Sequence, residues 1–113
     1  MHPLDKGVDR VLIAFSTFPD VETARTISNQ LVTEKLVACA NILPSVESIY
    51  RWQGKMESSA EALAFFKLDA TRYPEFEEKL RSLHPYDVPE IISCKIDQGL
   101  PEYLSWVGES CAK

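Results

Sequence analysis

The segment His84-Pro85-Tyr86-Asp87-Val88-Pro89-Glu90-Ile91 gathers an imidazole, a phenol and two carboxylates around two prolines. A plain connection between a helix and a strand needs only a few polar residues. With an ordinary pKa near ~6.5, His84 can exchange protons or bind a borderline metal. Asp87 and Glu90 add oxygen ligands, so the three residues describe a nitrogen–oxygen cation site of the kind that takes copper or zinc weakly. A histidine at a helix C-terminus is also accounted for by the helix dipole, which favours its charged form. A second unusual segment, Ala38-Cys39-Ala40-Asn41-Ile42-Leu43-Pro44, offers Cys39 as a thiolate ligand; tight packing between two alanines is the simpler account of it. Cys94 and Cys111 carry no assigned role.

Tyr50, Trp52, Tyr103 and Trp106 form another constellation. Such residues join apolar area to a polar handle and are enriched at interfaces. Arg51 and Lys67 are the cations that would share a cleft with them, and a cleft lined by Lys67, Arg51 and aromatics could hold an anion. A lysine that snorkels to water is the simpler account of Lys67. There is no Gly-rich phosphate loop, H-E-x-x-H helix or G-x-S-x-G elbow, so neither an organic cofactor nor an enzymatic reaction is expected.

The elements that must position these groups follow from periodicity. Val11 to Phe15 is an apolar run and predicts a central strand covered on both faces. Asp20 can cap a helix over 21–35, with Val21, Ala24, Ile27, Leu31 and Leu36 on one face. A second strand starts near Ala38, meets Pro44 at an edge or bulge, and continues to Trp52. Gly54-Lys55 makes a hairpin turn into a strand from Met56 to Leu68. Tyr73, Phe76, Leu80 and Leu83 predict a helix over 72–83, stopped by Pro85. A fourth strand spans Ile91 to Ile96, and Pro101 starts a short last helix. This order predicts an α+β fold: a ferredoxin-like, split-βαβ antiparallel sheet with helices on one face, a long hairpin, and an extra C-terminal helix. A long two-stranded ribbon is marginal alone and leaves an open edge, so an oligomer is expected.

At 113 residues the chain reads as a single domain over 1–113, with residues 1–9 a flexible arm. A formal net charge of −5 without a basic block argues against nucleic acid or anionic membrane as partner. No apolar run reaches membrane-spanning length and no signal core opens the chain, which points to the cytoplasm. Three separated cysteines form neither a disulfide framework nor a closed zinc site.

Four segments together resemble one known family. Glu34–Pro44, Ser48–Lys55, His84–Ile91 and Tyr103-Leu104-Ser105-Trp106 look like the CutA divalent-cation tolerance proteins, in the same order across about Val11 to Val107. The resemblance implies a homotrimer with interlocked hairpins, a response to copper and other divalent metals, and an architecture similar to PII-type signalling trimers. It leaves open a small-molecule or anion sensor with an intersubunit cleft, or a purely structural interaction trimer. One departure bears on metal. Copper-associated bacterial members carry a cysteine before a Thr-x-Pro-Asp segment and a His-His pair before Pro-Tyr. Here Ser16 and Leu83-His84 stand there, and a hydroxyl is a poor ligand for soft copper(I).

Overall fold

A computed structural model describes residues 10–113. The expected arm over 1–9 lies outside the described residues. Strand β1 (Val11–Phe18) lies inside a four-stranded antiparallel sheet with β2 (Cys39–Trp52), β3 (Lys55–Asp69) and β4 (Ile92–Lys95), in the order β2-β3-β1-β4. Helices α1 (Val21–Thr33), α2 (Tyr73–Leu83) and α3 (Pro101–Ser110) complete the expected split-βαβ plan.

Strand β1 outlasts its apolar run, because Ser16 and Thr17 keep the alternation and only Pro19 breaks it. It is covered on one face rather than two. Leu12, Ala14, Ser16 and Phe18 are buried, whereas Ile13, Phe15 and Thr17 are half-exposed. The buried face meets Ala62, Ala64, Phe66 and Leu68 of β3 beneath the helices. Phe66 packs edge-on against Phe76 of α2 at 5.4 Å.

Asp20 caps α1 by accepting from the Thr23 N–H at 2.7 Å. The helix presents Ala24, Ile27 and Leu31 to the core and ends at Thr33, short of the expected 35. Lys35 has left-handed backbone (φ 61°), which terminates the helix before Leu36 re-enters the core. Arg72, itself buried, donates to the freed carbonyls of Lys35 (3.2 Å) and Glu34 (3.4 Å). A 3₁₀ turn over Ala70–Arg72 precedes α2, and Pro74 sits in the first turn of that helix, where no N–H is needed.

The β2–β3 hairpin gives the described residues their 50 × 26 × 22 Å shape. The pairing runs from Trp52↔Lys55 to Cys39↔Lys67, with a register shift between Leu43 and Val46 at Pro44. Its turn is Gln53-Gly54, one residue earlier than expected. Both residues have positive φ (50° and 80°), the backbone that suits a two-residue hairpin. Residues 49–58 are exposed throughout.

Candidate functional site

His84 leaves α2 and turns back onto β1. Its ring stacks on Phe18 (centroids 4.7 Å, interplanar angle 13°), and it is 8% exposed. Nε2 lies 2.8 Å from the Thr17 carbonyl oxygen, which can only accept, so Nε2 carries the proton. Nδ1 accepts the Tyr86 backbone N–H at 3.2 Å. The imidazole is therefore neutral with both nitrogens engaged. Burial pushes its pKa below 6.5, more than the Thr17 hydrogen bond and the Glu61 carboxylate raise it. Tyr86 donates its hydroxyl to Glu61 Oε2 at 2.7 Å. Burial first, then that bond and the Glu61 charge, push the phenol well above its ordinary value.

This network joins three separate stretches of chain: the end of β1, the loop after α2, and the middle of β3. Sequence reading found His84 and Tyr86 but not Glu61 or the Thr17 carbonyl. Glu61 lies 25 residues from Tyr86. Its one visible sign is a carboxylate among the alanines that precede the apolar half of β3.

The four expected metal ligands do not converge within one chain. Asp87 and Glu90 are exposed on the loop, while both nitrogens of His84 face protein partners. Cys39 pairs with Lys67, whereas Thr17, which holds His84, pairs with Leu63. Four residues of β3 separate these rows, about 13 Å at ~3.3 Å per residue. Among the described residues, no group of three or more His, Cys, Asp or Glu side chains could hold a metal ion. Among the described residues, a single chain brings together no donor set for copper or zinc.

The expected cleft residues divide into two groups. Tyr50, Arg51 and Trp52 lie near the hairpin tip, where Trp52 is 54% exposed. Lys67, Tyr103 and Trp106 lie at the far end of the sheet. Trp52 faces Lys55 and Cys39 faces Lys67, a span of about 40 Å along β3. One chain cannot bring the two groups together. Within the second group, Cys39 Sγ is 3.7 Å from Tyr103 Oη, and the Tyr103 and Trp106 rings are 5.6 Å apart. Lys67 donates to Asn41 Oδ1, a partner the sequence did not single out.

A cleft of about 290 Å³ opens beside the end of α3, lined by Asp69, Arg72, Gly108 and Cys111 among others and by none of the expected site residues. Its charges already pair: Arg10 with Asp69 (2.8 Å), Arg72 with Glu75 (2.7 Å) and Lys113 with Glu75 (3.3 Å).

A split-βαβ sheet whose second and third strands overrun it by a long ribbon, with a neutral histidine locked at the ribbon's base, defines a ferredoxin-like protein of the long-hairpin class. A family model described as CutA1 divalent ion tolerance protein matches residues 12–110, and the chain belongs to that family. The divalent-cation tolerance protein CutA of Thermus thermophilus is 44% identical over 98 residues, covering 87% of this chain and 95% of its own. Human Protein CutA is 39% identical over 97 residues, and the match spans only 54% of its length. Two solved structures superpose closely. Cut A1 from Thermus thermophilus has a TM-score of 0.87 at 42% identity and covers 90% of this chain and 99% of its own. CutA from Xylella fastidiosa has a TM-score of 0.88 at 42% identity, with 91% and 99% covered. None of these descriptions names a catalysed reaction.

Proposed function

We propose that the protein serves in tolerance of divalent cations as a homotrimer, without a catalysed reaction of its own. The observation that carries the assembly is the ribbon. Ile49 (66%), Trp52 (54%) and Met56 (64%) face solvent on two strands that, among the described residues, no other element covers at that end. The sheet face opposite α1 and α2 is a second unsatisfied surface: Ile13, Phe15, Leu63 and Phe65 are half-exposed and Ile92 is 56% exposed. Laying the ribbon of one copy on the open face of the next buries both and covers the free edge of β2. The number three comes from the resemblance to the family.

The role follows the relatives, whose names attach them to divalent-cation tolerance. A weakly held copper or zinc ion belongs, on this reading, between copies. Only a neighbouring chain can bring Cys39 toward Asp87 and Glu90, and the engaged ring of His84 makes the carboxylates the first contacts. Unpaired Cys39, Cys94 and Cys111 suit a reducing cytoplasm. Among the described residues no helix is long and apolar enough to cross a membrane.

Growth of a deletion strain under copper or zinc stress tests the role. Wild type restores tolerance and Trp52→Ala does not; equal growth with and without the gene overturns it. Sedimentation at micromolar concentration tests the assembly, and a monomer there overturns it. Zinc titration of Asp87→Asn/Glu90→Gln tests the metal contact, with binding equal to wild type counting against it.

A further inference from the structure

Cys94, Ile13, Lys67 and Cys39 form one cross-strand row on the open face of the sheet, and Ile92, Phe15, Phe65 and Asn41 form the next. Lys67 is the one charged residue in either row. Its ammonium shares that face with Ile13, Phe15 and Phe65, and Asn41 Oδ1 accepts from it. Among the described residues Lys67 forms no ion pair. Asn41 is a neutral acceptor and leaves the charge uncompensated. An ammonium has three N–H groups, so donors remain.

The surroundings supply more donors. With its oxygen turned to Lys67, the Asn41 amide has its NH₂ group left to give. Cys39, directly across from Lys67, brings in the Tyr103 hydroxyl at 3.7 Å. Burial first, then the adjacent Cys39, raises the Tyr103 pKa, so the phenol keeps its single O–H, which is free for a ligand when the Cys39 thiol donates to the phenol oxygen. No carboxylate stands in these two rows. An ammonium and an amide NH₂ on an apolar face, with a phenol beside the cross-strand neighbour of the lysine and the nearest carboxylate of β3, Asp69, already held by Arg10 and Thr71, match the charge and hydrogen-bond needs of an oxyanion. Covering the face would make an unpaired ammonium costly, which strengthens the demand for a counter-charge.

We propose that Lys67, Asn41 and Tyr103 form a binding site for a small oxyanion, a carboxylate or a phosphate, at the corner where α3 meets the open sheet face. The donors are assembled within one chain. The exclusion of water from the site rests on the trimer reading above. Trp106, beside Tyr103 and 44% exposed, offers an apolar wall for the body of such a ligand.

The test is thermal melting in phosphate and in succinate against chloride at matched ionic strength, with sedimentation in the same buffers. Phosphate, succinate or both should raise the wild-type melting temperature where chloride does not. Whichever acts identifies the source of the oxyanion. Lys67→Met should weaken the response about tenfold or more, and Lys67→Arg should retain it. Should Lys67→Met fail to fold, Asn41→Ala and Tyr103→Phe each remove one donor and should each weaken the response. A wild-type response equal to that in chloride, or one unchanged by these variants, overturns the site. A monomer with an intact oxyanion response defeats the trimer reading alone; a trimer with no response defeats this site alone.

Discussion

His84 was the most chemically suggestive side chain in the sequence, and its geometry makes it a fastener. The ring fills space against Phe18, gives its only N–H to Thr17 and takes the Tyr86 N–H. Replacing His84 by Ala strands two part-buried backbone groups as well as opening a cavity. Equilibrium denaturation should show a loss of about 2–3 kcal/mol. Asp69 has a different, pH-dependent part. Burial opposes its ionisation, but hydrogen bonds from Thr71 and the Arg10 guanidinium hold its pKa below 3.8. The folded state therefore binds fewer protons than the unfolded state near that pH. Its contribution is full above pH ~4 and disappears as pH falls through the lowered value. Asp69→Asn should be less stable than wild type at pH 7 and lose less of its stability on acidification, read by denaturation across that range. Among the described residues the buried Ser16 and Ser28 hydroxyls meet no hydrogen-bond partner. Ser28→Ala removes one of them from a helix and should raise stability by about 1 kcal/mol in the same assay.

At the scale of elements, the hairpin turn offers the sharpest stability test. Gln53 sits at φ 50°, where a side chain is disfavoured and Asn or Gly is at ease. Gln53→Gly should stabilise by about 0.5–1 kcal/mol in thermal melts, provided the variant and wild type are compared at one concentration. The same turn shows where sequence reading stopped. Gly54 marked the turn, but Gln carries no turn signal, so the register came out one residue late. Alternation in Val46–Trp52 and the bulge at Pro44 were legible because period and proline act locally. The end of α1 was not, because Leu36 continues the apolar stripe while Lys35 has already left the helix. At the site, the residue types at 84–91 were visible. The network Tyr86–Glu61 and the pair Lys67–Asn41 were not, since strand register creates them and neither spacing has a local signature.

For the molecule as a whole, stability and assembly should be one measurement. If three copies shelter each other's ribbons, the melting temperature rises with protein concentration. Trp52→Ala should weaken the assembly by about 2 kcal/mol or more per contact, seen as dissociation at higher concentration in sedimentation. A melting temperature that does not move across a hundredfold dilution would contradict this.

Strand β3 is continuous from the tip at Lys55 into the core at Asp69, and β2 re-enters the sheet at Cys39, so each half of the ribbon is moored separately. A protease that nicks the chain between Gln53 and Gly54 would thus release nothing. The two pieces should stay together on a native gel and part only in denaturant. If neighbouring copies cover the ribbon as proposed, the nick is reachable mainly on an unaccompanied chain, and the rate at which it forms counts the free protomers in solution.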